Sequence, residues 1–89
     1  MSYWIEYTDY KGKPLDKRKD VHTERINVAR GKAVRTVGIG RVAWIFLSKT
    51  SRFPIGFVTF DEERGDFIWS DAKTRSAYFV NSEGVIRKI

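Results

Sequence analysis

Apolar residues in this chain come in short runs, each ended within a few positions by glycine, proline, asparagine or aspartate. The longest unbroken apolar stretch covers only residues 42–47. Such spacing suits short strands joined by tight turns better than long helices. The clearest instance lies at the C-terminus. Residues 77–80 and 85–88 flank Asn81-Ser82-Glu83-Gly84, a hairpin loop with glycine where a positive φ is needed. Residues 55–60 and 67–70 flank Asp61-Glu62-Glu63-Arg64-Gly65-Asp66 in the same way. Near the N-terminus, Tyr3, Ile5 and Tyr7 alternate with Trp4, Glu6 and Thr8, the period-two mark of a strand over 3–8. The turn that follows holds Gly12 and Pro14. Residues 15–20 are too charged to be buried and read as a loop or a solvent-facing edge strand.

Residues 21–37 admit two readings. As a helix, Asp20 caps the start and Ile26, Ala29 and Ala33 share a face. As strands, Ile26 and Val28 share a face, and the chain turns at Arg30-Gly31-Lys32. A mid-helix Gly31 costs ~1 kcal/mol. Val21, Thr23, Ile26, Val28, Val34, Thr36 and Val37 favour β structure. The strand reading is therefore expected. The whole chain, residues 1–89, reads as a single mostly β domain. It would be a small antiparallel barrel or wrapped sheet of about six strands, with at most one short helix.

Three Trp, four Tyr and six Phe supply the apolar mass, since each aromatic buries on the order of 150–250 Å². Ile5, Val42, Trp44, Phe46, Ile55, Phe57, Phe67, Trp69, Phe79 and Val85 are the expected core. There are no cysteines, which excludes disulfides, thiol nucleophiles and cysteine zinc sites and favours a reducing compartment. The N-terminus lacks the basic-then-apolar pattern of a signal peptide, and no run is long enough to span a bilayer. The expectation is a cytoplasmic protein without membrane partners.

Catalytic patterns are thin. His22 is the only histidine, so no histidine metal cluster is available, and no metal or cofactor is expected. Gly38-x-Gly40 lacks the third glycine of a dinucleotide fingerprint, and no glycine-rich phosphate loop is present. Asp61, Glu62, Glu63 and Asp66 read as a solvated hairpin tip rather than paired acids. No enzyme is expected.

Charge is the stronger signal. The net charge is +6 and the pI about 9.8. Twelve of the 17 Lys and Arg fall between residues 11 and 52, against three of the 11 acids. Lys11, Lys13, Lys17, Arg18 and Lys19 crowd one segment, with Arg25, Arg30, Lys32, Arg35 and Arg41 downstream. Tyr7 and Tyr10 lie beside them in sequence. Cationic loops next to exposed aromatics are the ingredients of nucleic-acid binding, where phosphates release counterions and bases stack. The candidate binding residues are Lys11, Lys13, Lys17, Arg18, Lys19, Arg30, Lys32, Arg35, Tyr7 and Tyr10, and the expected partner is DNA or RNA. The alternative is a protein-binding regulator or inhibitor of the kind phages and mobile elements encode, docking on an acidic protein surface by charge complementarity.

Trp4-Ile5-Glu6-Tyr7-Thr8-Asp9-Tyr10-Lys11-Gly12-Lys13, followed by Lys17-Arg18-Lys19, resembles the start of the arm-site DNA-binding domains of phage integrases. The resemblance implies a three-stranded sheet lying on DNA, with the Gly-Lys turn between its first strands. It covers only this first segment. That family continues with a helix, where the present sequence reads as strands.

Overall fold

Alternation in the first segment builds β1 (Trp4–Asp9), whose even-numbered side chains take one face of a sheet and whose odd-numbered ones take the other. The computed structural model describes residues 2–89. After β1 the chain makes the two-residue edge strand β2 (Lys19–Asp20), crosses the sheet as α1 (Ile26–Thr36), and returns as β3 (Arg41–Phe46) on the other side of β1. From there it is a meander: β4 (Gly56–Asp61), β5 (Asp66–Asp71), β6 (Ala77–Val80) and β7 (Ile86–Lys88). The seven strands run in the order β2-β1-β3-β4-β5-β6-β7, each antiparallel to its neighbour. The sheet is open rather than closed, since β2 and β7 are its two edges. The mostly β expectation holds, while the barrel does not form. No helix among the described residues is long and apolar enough to cross a membrane.

Residues 21–37 are corrected: they hold the helix, not strands. The propensity argument failed because Gly31 serves packing. A Cβ there would come within 2.7 Å of the Ser82 carbonyl oxygen, so glycine lets the helix press against the β6–β7 turn. Gly84 answers from the turn, at φ +79°, and a Cβ there would lie only 1.7 Å from the Asn27 carbonyl oxygen. Only glycine fits both demands. Once the helix is docked, Ala29, Ala33, Val34 and Val37 are buried against the sheet.

The sheet therefore has two unlike faces. Under the helix lie Ile5, Ala43, Ile45, Val58, Trp69 and Val80, joined to the helix alanines and valines in one cluster. Trp69 is the only aromatic in it that is fully buried, at 1% exposure. Its six-membered ring fills the space where a Cβ of Gly56 would stand, 2.3 Å away. The register places Trp4, Val42, Trp44, Phe46, Phe57, Ile68 and Phe79 on the opposite face. Val42 and Phe46 are buried there, but Trp44, Phe57 and Phe79 remain partly exposed. Ile55 and Phe67 pack half-buried against the helix-side cluster, and Val85 is exposed. The expected core thus splits between two layers, with Val85 outside both. Parity decides the split. Val42, Trp44 and Phe46 share one face, so the smaller Ala43 and Ile45 are what the helix covers.

Candidate anion-binding cleft

On the helix side, the groove between α1 and the β1–β2 edge gathers side chains from four elements, three of which bring a cation. Tyr7 of β1 faces the helix, and its hydroxyl shares a 2.5 Å hydrogen bond with Thr36 Oγ1. Thr36 Oγ1 also donates back to the Lys32 carbonyl one turn earlier. Lys32 and Thr36 lie four residues apart, so both side chains lean to the same flank of the helix. Lys19 stands on β2 opposite Ile5 and therefore shares its face. Arg41 opens β3 opposite Asp9. Together with Leu15 and Asp16, these side chains line a cavity of about 480 Å³.

The electrostatics are lopsided in favour of anions. Lys19 Nζ forms a 2.8 Å ion pair with Asp16 Oδ2. The hydrogen bond from Lys19 holds the Asp16 carboxyl below the usual carboxylate range, and the same bond raises the Lys19 ammonium above its ordinary value. Lys32 and Arg41 make no ion pair among the described residues. Three cations thus face one cavity against one carboxylate. The Tyr7 and Thr36 hydroxyls line the same cavity, with their protons engaged in the chain from Tyr7 to Thr36 to the Lys32 carbonyl, so the three cations are its groups for a phosphate.

Three of the residues expected from sequence, Tyr7, Lys19 and Lys32, meet here. The others are dispersed. Arg18 lies on the opposite face, with its guanidinium 3.5 Å from the Phe46 ring centroid, and donates to the carbonyls of Ser48, Lys49 and Ser51. Arg30 is buried beneath the helix at 7% exposure. Arg35 lies along the other flank of α1, donating to the Ser82 carbonyl. Tyr10 donates to the Phe60 carbonyl, beside the acidic β4–β5 turn. Lys11 and Lys13 sit in the adjoining loop, where their backbone amides donate to Asp9 Oδ1. Lys17 is exposed next to Asp16, which accepts from its amide.

Sequence reading did not single out Thr36 or Arg41 as site residues. Arg41 was legible in principle, because its odd-numbered position shares the parity of Ala43 and Ile45. Thr36 required the helix. The expectation that the chain holds no Ser-x-x-Lys arrangement is corrected at one place. Ser70-Asp71-Ala72-Lys73 has the Ser-x-x-Lys spacing of some acyl-transfer enzymes. Here Ser70 shares the face of Phe57, away from the helix, and Lys73 sits in the following turn on the helix side. No hydrogen bond joins the two among the described residues, and they form no nucleophile–base pair. Among the described residues no cluster of His, Asp and Glu could hold a metal ion.

Comparison with known proteins places no relative beside this chain: no family model, no curated protein and no solved structure matches it.

Proposed function

We propose that the protein is a non-enzymatic binding module for nucleic acid or another polyanion, and that it docks phosphates in the cleft between α1 and the β1–β2 edge. One observation carries the reading: Lys19, Lys32 and Arg41, brought from three separate elements, line one cavity with Tyr7 and Thr36. Cations converging from distant parts of a chain repel each other unless something anionic offsets them, and Asp16 neutralises only one.

Fluorescence anisotropy with labelled single- and double-stranded oligonucleotides across a salt series tests this. Lys19→Ala, Lys32→Ala and Arg41→Ala together are expected to weaken binding and flatten the log–log salt slope. Each lost phosphate contact removes about 0.7–0.9 from that slope. Arg18 is left intact because it packs on Phe46 and anchors the β3–β4 loop. Absence of oligonucleotide binding by the native protein even at low salt would overturn the reading.

A second reading rests on a different surface. Phe53, at 82% exposure, and Leu47, at 54%, project from the β3 end and the β3–β4 loop. Exposed apolar side chains of this kind favour a protein partner. This is the regulator or inhibitor alternative, and it would survive the loss of nucleic-acid binding.

A further inference from the structure

Arg30 is a buried cation that the polyanion cleft does not use. Its Nε donates to the Gly84 carbonyl at 2.9 Å and one Nη to Asn27 Oδ1. Its guanidinium lies over the Trp69 ring, 5.4 Å from the centroid. Burial pulls its pKa down from the usual arginine value, yet a guanidinium keeps its proton. Buried charges are ordinarily paired. Among the described residues no carboxylate comes within 4.0 Å of this one. The nearest acid to act on it is Asp71, whose Oδ1 is taken by the amides of Lys73 and Thr74. Nη1 donates to no protein acceptor among the described residues.

This side chain lines a cavity of about 520 Å³ whose walls are largely apolar and aromatic, with Tyr3, Ile26, Ile55 and Trp69 among them, and whose β5–β6 rim carries Asp71 and Lys73. The adjoining helix start adds to the positive potential, because no side chain caps it and its first turn holds no acid. Trp69 Nε1 is buried without a hydrogen-bond partner among the described residues. It lies near enough to help hold the Asp71 carboxyl low without reaching hydrogen-bond geometry. With Asp71 beyond ion-pairing distance of Arg30 and Lys73 on the same rim, the cavity keeps a net positive charge against its apolar walls, which selects a negative head on an apolar body.

We infer that the cavity between the start of α1 and the β5–β6 turn binds a carboxylate carried on an aromatic or aliphatic body, with Arg30 as the anchor for the carboxylate. A free small acid and the C-terminal carboxylate of an apolar peptide share that chemistry. The site is separate from the polyanion cleft, so neither reading depends on the other.

Proton–nitrogen NMR of the full chain tests it, read at the Trp69 indole N–H and the Arg30 Nε–H. The probes are phenylacetate and a short peptide ending in phenylalanine, each beside its uncharged counterpart, 2-phenylethanol and the peptide amide. Saturable shifts at both reporters with at least one carboxylate are expected, with the counterpart weaker by at least about tenfold, the equivalent of one charge-assisted hydrogen bond. Which acid binds identifies the source. Ala72→Trp, a change at the exposed rim, is expected to abolish the shifts while the fold persists. Arg30→Lys keeps the charge but loses the fork and is expected to weaken binding about tenfold. No saturable shift with either acid, equal binding of the uncharged counterparts, or undiminished binding by Ala72→Trp would each overturn the inference.

Discussion

The two faces of the sheet solve the same burial problem with opposite materials. Beneath the helix the side chains are small: Ala29, Ala33, Ala43, Val58 and Val80 surround a single tryptophan, and most have no exposure at all. On the other face the side chains are large, with Trp4, Trp44, Phe46, Phe57 and Phe79 in a band, yet most stay partly wet. Trp44 packs on Phe57 at 4.9 Å between ring centroids and donates to Thr8 Oγ1 at 2.8 Å. Arg18 and Arg87 lay guanidinium groups over Phe46 and Phe79. Side-chain size does not decide what becomes core. A docked helix does, and it docks where glycine and alanine let backbones approach. The aromatic band covers itself with its own neighbours and with the stems of arginines.

The sharpest way to break this comparison is to truncate one tryptophan from each face. Trp69→Ala is expected to cost about 3–5 kcal/mol, enough to unfold much of a domain this small. Trp44→Ala is expected to cost about 1–2 kcal/mol, since its ring is half-covered and solvent can fill the gap. Urea unfolding of both variants measures the difference. Equal losses would mean the open face is as much a core as the helix side.

A subtler change sharpens the role of close approach. Gly31→Ala raises helix propensity by ~1 kcal/mol, and in an exposed helix that gain would appear as stability. Here the new methyl meets the Ser82 carbonyl at 2.7 Å and Arg35 Nη1 at 3.0 Å. Overpacking of this kind costs about 1–3 kcal/mol, so a net loss of about 1 kcal/mol is expected. A thermal melt that rises instead would show that the β6–β7 turn yields easily and that the helix is not held by tight contact.

The strands were legible because β1 keeps period two and the others are short apolar runs bounded by turn residues. The expected segments 3–8, 42–47, 55–60, 67–70, 77–80 and 85–88 fall within a residue or so of β1, β3, β4, β5, β6 and β7. The helix was not legible, for a physical reason. Its buried stripe mixes the good helix formers Ala29 and Ala33 with Val34, Val37 and the central Gly31, whose local preferences point to strand or turn and outweigh the alanines. Its reward is tertiary, arising from a turn more than fifty positions downstream in the case of Gly84 and Asn27. The cleft inherits that blindness. Tyr7, Lys19 and Lys32 stood out by charge and proximity, but Thr36 joins them only when residues 32 and 36 occupy one helical flank. Arg18 and Arg30 looked alike in sequence as two cations of a basic segment. Burial parted them, one onto an aromatic ring of the open face and one into the cavity beneath the helix.

The smallest expected effect concerns the turns that join β4 to β5 and β5 to β6. Asp71 accepts from the amides of Lys73 and Thr74 at 2.9 and 3.0 Å, and the Thr74 bond is the main reason its carboxyl lies below the usual range. Asp61 does the same for the β4–β5 turn, where the Arg64 side chain is the chief cause of its lowered pKa. A carboxyl whose folded pKa is depressed contributes stability that is fully present above its unfolded value of ~3.9. That contribution is lost as pH falls through the lower folded value. Stability is therefore expected to decline below about pH 4 rather than rise. Asp71→Asn keeps an acceptor oxygen for both amides but no longer titrates, so it should flatten the acid limb while leaving the fold intact at neutral pH. Because Asp71 is only partly covered by the protein, the effect is expected to stay under about 1 kcal/mol. Urea midpoints measured from pH 6 down to pH 2.5 for the native chain and for Asp71→Asn resolve it. An unchanged acid limb in the variant would mean that this turn carries no share of the acid sensitivity, and that the β5–β6 connection beside the Arg30 cavity is held by its backbone alone.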